Sequence, residues 1–265
     1  MNVKKTFDMS NKVVIITGAS GLLGSQYAEG LSQAGANVVL ADINYKGCKQ
    51  LANKLEDQYS VSPLAIRLDL TNKKSIKNMI VKTLEKYSKI DVLVNNAVNQ
   101  GDAKLRTTSF EDFPLSSWNK AVAVNLTGVF LCCQEVGRIM VKQKRGVIVN
   151  IASTYGLVAP DQRIYGSSGQ NSAAFYAATK SAVINLTRYL ASYWSGKGIR
   201  VNTLTPGGVE KGQDSQFIKN YSHKTMLGRM ARKDEYVGAM LFLTSDASSY
   251  MTGSNLIIDG GWTAW

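Results

Sequence analysis

Short apolar runs rich in β-branched residues alternate along the chain with longer segments whose apolar positions recur at helical spacing. The runs predict strands at 13–16, 37–41, 64–68, 92–94, 146–151, 200–204 and 255–258, and the segments predict helices at about 22–34, 45–59, 75–87, 116–141, 173–195 and 233–243. Strands that alternate with helices form parallel sheets covered on both faces, and right-handed crossovers make such a sheet doubly wound. The sequence therefore predicts an α/β fold in a single domain, since no linker or internal repeat divides residues 1–265.

Four polar or irregular segments interrupt this alternation: an N-terminal extension at 1–11, a connection at 98–114, and the segments 160–172 and 209–231. In a doubly wound sheet, ligands bind beyond the carboxyl ends of the strands. We therefore expect segments 160–172 and 209–231 to be active-site loops, the second of them acting as a lid. The residues that end the predicted strands should lie at the same edge: Gly18, Asp42, Asp69, Asn96, Ser153 and Pro206.

The first predicted strand leads into a glycine-containing turn, Thr17–Gly24, which opens the first long helix. Glycines allow a sharp turn and let a pyrophosphate approach the amide groups at a helix N-terminus. A glycine triplet alone is weak evidence, but here it has the strand before it and the helix after it that dinucleotide binding requires.

Asp42 ends the second predicted strand, where a carboxylate can bind the adenosine ribose hydroxyl groups. The same carboxylate repels a 2′-phosphate, and the turn contains no Arg or Lys, so we expect NAD in preference to NADP. An ordinary helix cap or loop acid is the alternative interpretation of Asp42.

Tyr176 and Lys180 lie four residues apart on a predicted helix, and therefore on one face of it. A nearby ammonium group favours the phenolate and lowers the pKa of a tyrosine, so the pair is a candidate proton-transfer device. Tyr-x-x-x-Lys also arises by chance on surface helices. The pair therefore supports a catalytic interpretation only because the glycine turn and Asp42, which predict dinucleotide binding, precede it in the chain.

The composition of the chain excludes several classes of function but does not identify a binding partner. The chain carries a formal net charge of +12, but its basic residues are scattered, so we expect a solvated lysine-rich surface and no nucleic acid or membrane partner. A single histidine, His223, argues against histidine-based metal sites and Ser-His-Asp catalysis, and we expect no metal. The three cysteines show neither metal-ligand nor disulfide spacing. No apolar run reaches about 18 residues, and the N-terminus is polar, so we expect neither a transmembrane helix nor a signal segment. Together these features predict a cytoplasmic protein.

The ordered motifs resemble those of the short-chain dehydrogenase/reductase family along nearly the whole chain. The matching stretches are Thr17–Gly24, Asp69-Leu70, Asn95-Asn96-Ala97, Asn125 before Gly128, Ser153, Tyr176-x-x-x-Lys180, Pro206-Gly207 and Asp259-Gly260-Gly261. The resemblance implies a seven-stranded Rossmann sheet and a nicotinamide cofactor held by Gly18, Ser20, Gly21, Leu23, Gly24, Asp42, Asp69, Leu70, Asn96, Ala97, Tyr176, Lys180, Pro206, Gly207 and Val209.

The resemblance also implies catalytic roles for four residues. Tyr176 would exchange a proton with the substrate oxygen, and Lys180 would lower the pKa of Tyr176 and hold the nicotinamide ribose. Ser153 would hydrogen-bond the substrate oxygen, and Asn125 would anchor a water leading to Lys180. A strand-end turn serine and a buried helix amide are the simpler interpretations of Ser153 and Asn125.

The chain departs from the family pattern at several positions. Leu22 occupies the usual second glycine position, so the turn has the spacing of the extended branch, which includes sugar-nucleotide epimerases and dehydratases. Residues 181–265 are too few for the larger C-terminal region of that branch, which favours the short form. Val98 replaces a glycine, Lys211 replaces a threonine that contacts the carboxamide, and extra residues near 161–171 predict an enlarged loop.

Within the family, three C-terminal stretches are similar to bacterial flagellin modification protein A: 188–194, 205–209 and 228–253. That resemblance implies oxidation or reduction of a carbohydrate-derived substrate in surface-glycan or nonulosonic-acid biosynthesis. A sugar phosphate or nucleotide sugar would suit a basic rim, for which the candidates are Lys104, Arg106, Arg163, Lys211, Lys219 and Lys224, although each is equally a solvated loop cation.

Two other functions remain open from the sequence. One is a sugar-nucleotide epimerase or dehydratase that recycles NAD, and the other is an NAD-binding regulator without turnover. The resemblance further implies a homotetramer or homodimer packed through the helices that carry Asn125 and Tyr176, with a contribution from the C-terminal stretch 262–265.

Overall fold

Seven parallel strands form one sheet in the order β3-β2-β1-β4-β5-β6-β7 in the computed structural model, which describes residues 2–265. The strands are β1 (Val13–Thr17), β2 (Asn37–Asp42), β3 (Leu64–Arg67), β4 (Val92–Asn95), β5 (Gly146–Ile151), β6 (Ile199–Pro206) and β7 (Asn255–Ile258). The order reverses between β1 and β4, which is where doubly wound sheets bind their ligands. The predicted seven-stranded Rossmann sheet is confirmed.

The helices cover both faces of this sheet. They are α1 (Val3–Thr6), α2 (Leu22–Gln33), α3 (Tyr45–Gln58), α4 (Lys73–Tyr87), α5 (Leu115–Val122), α6 (Val129–Gln143), α7 (Ala174–Tyr193), α8 (Ser215–His223) and α9 (Val237–Thr244). Successive strand residues point to opposite faces, so Ile15 packs beneath α4, α6 and α7 while Val14 and Ile16 pack beneath α2, α3 and α9. Continuous apolar runs such as β1 are buried along their whole length for this reason.

Three sequence-based boundaries need correction. The predicted helix at 116–141 is interrupted by a π-helical segment, Ala123–Gly128, between α5 and α6. The polar segment 209–231 contains α8, whose first turn is capped by the Asp214 carboxylate, which accepts hydrogen bonds from two backbone amides. Strand β6 also extends through Pro206, which pairs only with β7 because β5 ends opposite Leu204.

The enlarged loop 160–172 is anchored to the lid segment 209–231. A short 3₁₀ helix, Gln162–Tyr165, buries Ile164 against Tyr221, Met230 and Trp262. The Asn220 side-chain amide donates to the Ile164 carbonyl oxygen at 3.1 Å. The two segments therefore form one packed unit above the carboxyl edge of the sheet.

Within residues 2–265, Leu115–Gln143 is the stretch that is long and apolar enough to pass for a membrane span by composition. Its buried side chains, including Cys132, Val136 and Met140, pack against the sheet. That packing is typical of a core helix.

Candidate active site

A cleft of about 760 Å³ lies at the carboxyl edge of the sheet, as the strand pattern predicts. All six strand-end residues expected at that edge contribute to its lining: Gly18, Asp42, Asp69, Asn96, Ser153 and Pro206. The lining also includes the predicted site residues Gly21, Leu23, Leu70, Ala97, Tyr176, Lys180, Gly207 and Val209. Sequence positions more than 180 residues apart are thus brought together because parallel strands share one carboxyl edge.

Tight backbone approaches explain the glycines of the first turn. Gly18 has φ +66°, and a Cβ atom there would lie 2.7 Å from the Ala97 Cα atom. A Cβ atom on Gly24 would lie 2.2 Å from the Gly18 carbonyl oxygen. Gly24 does not line the cleft, so its part in the predicted cofactor site is to let α2 pack against the turn.

Asn96 fastens the same turn to β4. Its side-chain amide donates to the carbonyl oxygens of Thr17 at 3.0 Å and Gly18 at 3.1 Å. Helix α2 then begins at Leu22, with Gly21 as an N-cap that has no side-chain hydrogen bond. The first backbone amides of α2 therefore face the cleft without a capping group, an arrangement suited to a pyrophosphate.

Asp42 is held in place by the turn it faces. One carboxylate oxygen accepts hydrogen bonds from the Ser20 amide at 3.1 Å and the Ser20 hydroxyl at 2.8 Å, and the other accepts from the Asn44 amide at 3.0 Å. Ser20, a predicted cofactor contact, does not line the cleft and instead orients Asp42. A carboxylate fixed in this way can accept hydrogen bonds from ribose hydroxyl groups.

Asn125 lies in the π-helical segment and is 1% exposed. Its side-chain oxygen accepts from the Asn99 amide at 2.7 Å, and its side-chain amide donates to the Asn99 carbonyl oxygen at 3.0 Å. Asn125 thereby fixes the segment that follows β4, but it does not line the cleft. π-Helical turns often occur at functional sites, and this one turns the amide towards the neighbouring segment.

Tyr176 and Ser153 both line the cleft, and the Ser153 side chain acts to lower the pKa of the Tyr176 phenol. Lys180 is 4% exposed, and its Nζ atom lies 5.8 Å from the centroid of the Tyr176 ring. The same Nζ atom donates to the Ile151 carbonyl oxygen at 2.7 Å. A proton acceptor, a hydroxyl group and a buried ammonium group are therefore placed together on α7 and the end of β5.

Burial is the main cause of the pKa shifts of Tyr176 and Lys180. Burial raises the pKa of Tyr176, and the Ser153 side chain acts in the opposite direction. Burial also lowers the pKa of Lys180 to about 8. The net shift of the Tyr176 pKa is therefore upward, opposite to the predicted lowering, because desolvation of the phenol is its largest cause.

A second cavity of about 360 Å³ opens beside Tyr176, between segment 98–114, loop 160–172 and α8. Its charged lining residues are Arg106, Lys211, Asp102 and Asp214, so its formal charges balance. Several residues line both cavities and form the junction between them: Gln100, Tyr155, Tyr165, Tyr176, Lys211, Gln213 and Phe217.

The predicted basic rim is only partly present at these cavities. Arg106 and Lys211 line the second cavity, whereas Lys104, Arg163, Lys219 and Lys224 are not among the lining residues of either cavity. Arg163 and Lys224 instead pair with Asp161, at 2.8 Å and 2.7 Å. The Arg163 pair lies within the enlarged loop, whereas the Lys224 pair joins that loop to segment 209–231.

Sequence reasoning missed the aromatic wall of the site. Tyr155 lies edge-on to Tyr176 with ring centroids 6.4 Å apart, and Tyr221 stacks on Trp262 at 4.3 Å. The Tyr221 hydroxyl accepts a hydrogen bond from the Gly208 amide at 2.6 Å. Only the position of Tyr155, two residues after Ser153, offered a signal, since Tyr221 reaches the site through α8, a helix that the polar pattern did not predict.

Val98 and Lys211, two departures from the family pattern, both line the main cleft.

A dinucleotide would fit along this cleft for three reasons. The α2 terminus is uncapped, the backbone packs closely at Gly18, and the Asp42 carboxylate is held in a fixed orientation. Tyr176, Lys180 and Ser153 lie where its nicotinamide end would reach.

A family model described as enoyl-(acyl carrier protein) reductase matches residues 18–263 of this chain. The chain is 35% identical over 264 residues to the NAD-dependent glycerol dehydrogenase of Listeria innocua, covering 98% of this chain and 96% of that protein. It is 31% identical over 257 residues to the post-translational flagellin modification protein A of Campylobacter coli, and the match covers 96% of this chain and 99% of that protein.

Solved structures of dehydrogenases are also similar to this chain over nearly its whole length. A short chain dehydrogenase from Leptospira borgpetersenii with bound NAD+ has 38% identity and a TM-score of 0.85, covering 99% of this chain and 96% of that one. A gluconate 5-dehydrogenase from Burkholderia cenocepacia in complex with NADP and tartrate has 31% identity and a TM-score of 0.89, covering 100% of both chains.

Proposed function

The chain belongs to the short-chain dehydrogenase/reductase family, whose members oxidise CH–OH groups or reduce the corresponding carbonyls, and on that premise we propose an NAD-dependent interconversion of a secondary alcohol and a ketone. The observation that carries this proposal is the joint placement of Tyr176 and Ser153 in one cleft, with the buried Lys180 Nζ atom 5.8 Å from the centroid of the Tyr176 ring. The substrate in this proposal is a carbohydrate-derived alcohol.

In the proposed mechanism, Ser153 and Tyr176 hold the substrate hydroxyl between them. Tyr176 accepts the hydroxyl proton as the carbonyl forms, and it returns a proton to the oxygen in the reverse direction. Lys180, fixed by the Ile151 carbonyl oxygen, stabilises the phenolate that must exist during proton transfer. Bound NAD supplies the acceptor for the hydride that leaves the carbon.

Asn125 acts by positioning in this proposal. Its amide pairs with both backbone groups of Asn99, which lies in the cleft lining. That pairing keeps the segment after β4 at a fixed distance from the end of β5, where Ser153 lies. The remaining predicted cofactor contacts line the cleft or, like Ser20 and Gly24, hold the residues that do.

Asp42 supports NAD as the preferred cofactor. Its carboxylate is fixed at the end of β2, where it would accept hydrogen bonds from a ribose diol and repel a 2′-phosphate. The cations in the lining of the main cleft are Lys180 and Lys211, and both belong to the catalytic end. A 2′-phosphate near Asp42 therefore finds no counter-charge among the described residues of the cleft.

The balanced charges of the second cavity favour a small uncharged polyhydroxy substrate over a nucleotide sugar. The names of the relatives, which include glycerol, D-threitol and meso-2,3-butanediol dehydrogenases, support the same class. The relation to flagellin modification protein A supports a role in surface-glycan biosynthesis, where such an alcohol would be part of a sugar precursor.

The test is a substrate screen with the purified protein. Polyols, sugar phosphates and nucleotide sugars are each offered with NAD and with NADP, and the absorbance of the reduced cofactor is followed. We expect net NADH formation with an uncharged polyol. Product formation without net NADH would indicate an epimerase or dehydratase, and cofactor binding without any turnover would indicate a regulator.

We further propose that the protein is a cytoplasmic homo-oligomer. Large apolar side chains on α5, α6 and α7 are exposed, including Leu115 at 71%, Tyr189 at 62% and Tyr193 at 67%. Trp262, expected at a subunit contact, is instead buried within the chain against Tyr221, whereas Trp265 is exposed. Light scattering coupled to size-exclusion chromatography measures the subunit number.

A further inference from the structure

Tyr155 lies at the junction of the two cavities, and its hydroxyl has no hydrogen-bond partner among residues 2–265. The other polar junction side chains are mostly occupied. Gln213 bonds the Lys211 amide and the Val209 carbonyl oxygen, both at 2.7 Å. The Ser172 side chain acts to lower the pKa of the Tyr165 phenol, against the effect of burial.

The Tyr155 ring is held rigidly by its surroundings. It lies edge-on to Tyr176 and also to Trp262, with centroid distances of 6.4 Å in both cases. Its backbone amide donates to the Ser153 hydroxyl oxygen at 3.3 Å, within the 3₁₀ turn that follows Ser153. The hydroxyl is thus carried on a ring that packs against Tyr176, and the backbone of the same residue contacts Ser153, so Tyr155 adjoins both residues proposed to hold the reacting oxygen.

Burial raises the pKa of Tyr155, so the phenol stays neutral and keeps its proton for donation. Tyr155 therefore offers both a donor and an acceptor to a substrate group. A neutral hydroxyl or carbonyl oxygen suits such a site, because the charged residues of the adjoining cavity balance one another.

We propose that Tyr155 is a specificity-determining residue that binds a second substrate oxygen, on the carbon next to the reacting one. The preferred substrate is then a vicinal diol in the oxidation direction and an α-hydroxy ketone in the reduction direction. This inference rests on the proposed oxidoreductase function, because Ser153 and Tyr176 must hold the reacting oxygen.

The experiment compares the native enzyme with Tyr155→Phe and Tyr165→Phe on matched substrates. Tyr165 is the control because it is a tyrosine that lines the same two cavities, but its ring packs on Phe217 and not on Tyr176. The substrates are 2,3-butanediol against butan-2-ol, and glycerol against propan-2-ol, with NAD. For each enzyme, kcat/KM is measured and the diol-to-mono-ol ratio is calculated.

We expect Tyr155→Phe to lower that ratio about tenfold, since one hydrogen bond to the second oxygen is lost, and Tyr165→Phe to leave it within about twofold. An unchanged ratio in Tyr155→Phe, or an equal fall in both variants, overturns the inference while the oxidoreductase function stands. If the native enzyme oxidises no alcohol with either cofactor, the proposed function fails, and the inference fails with it.

A substrate-side test needs no variant. The native enzyme is offered 2,3-butanediol and its mono-methyl ether, 3-methoxybutan-2-ol, which keeps the second oxygen but cannot donate from it and is bulkier there. A clear loss of kcat/KM with the ether supports recognition at the second oxygen. Equal rates for the diol, the ether and butan-2-ol would overturn it, even if Tyr155→Phe did not fold.

Discussion

Lys180 donates a hydrogen bond from its Nζ atom to the Ile151 carbonyl oxygen at 2.7 Å, at the end of β5. This contact ties α7, which carries Tyr176, to the strand that leads into Ser153. It also fixes the ammonium group beside the Tyr176 ring. Together with the bonds from Asn150 to Thr187 and from Ser181 to Gly156, it sets the position of α7 relative to Ser153.

Tyr176→Phe should reduce turnover by at least about a thousandfold, because the phenol oxygen that accepts the proton is removed. NAD binding should change little, which a fluorescence titration of the reduced cofactor measures. Tyr193→Phe, on the same helix but 67% exposed, is the matched control and should keep native activity. Native-like activity in Tyr176→Phe would contradict the assigned role.

The oxidation rate should rise with pH. Oxidation needs Tyr176 to accept a proton, and burial raises the pKa of this group, so the competent form increases towards alkaline pH. The reverse reaction needs the protonated phenol and should weaken over the same range. Profiles of kcat/KM in both directions from pH 6 to 10, at about constant ionic strength, measure this; parallel profiles would rule out the proposed proton transfer.

Lys180 should make the free energy of unfolding increase with pH in the alkaline range. Its folded-state pKa is lowered to about 8, and an unfolded lysine has a pKa of about 10.4, so between these values the unfolded chain binds more protons. The cost of the buried charge is complete below pH 8 and fades as the pH approaches 10.4.

Denaturant unfolding of the native protein and Lys180→Met from pH 7 to about 10.5 measures this effect. The stability of the native protein relative to the variant should increase by up to about 3 kcal/mol across that window. Lys197→Met, at an exposed loop lysine, should show no such relative change. A constant difference between native protein and Lys180→Met would show that Lys180 does not titrate in this range.

Asp42→Asn should shift cofactor preference towards NADP. Asparagine keeps an oxygen that can accept from Ser20, but it removes the charge that repels a 2′-phosphate. We expect the ratio of kcat/KM for NAD to that for NADP to fall by about ten- to a hundredfold. Asp57→Asn, at an exposed position of α3, is the control, and an equal ratio in both variants would remove Asp42 from cofactor selection.

Asn125→Leu should destabilise the protein by about 2 kcal/mol, because the Asn99 amide and carbonyl groups would lose their side-chain partners. Turnover should fall as well, since Asn99 lines the cleft. Denaturant unfolding measures the first effect and NADH formation the second. Asn119→Leu, at an exposed position of α5, should leave both unchanged; matching losses there would indicate a non-specific effect.

The sequence by itself determined the sheet and the ends of its strands. Apolar runs such as Val13–Thr17 must be buried on both faces, and their spacing with helical segments leaves little choice other than a parallel sheet. Because parallel strands end at one edge, the strand pattern alone predicts that Gly18, Asp42 and Ser153 lie together, as they do in the cleft. The Tyr176–Lys180 spacing placed both residues on one helix face in the same way.

Only the tertiary structure decided what surrounds these residues. The pairing of Asn125 with Asn99, the contact of Ile164 with Tyr221 and the salt bridge of Lys224 with Asp161 each join segments that are distant in the sequence. The direction of the Tyr176 pKa shift was decided there too, because desolvation depends on every neighbour of the phenol. Local spacing fixes which face a side chain takes, whereas burial and partners follow from packing between distant segments.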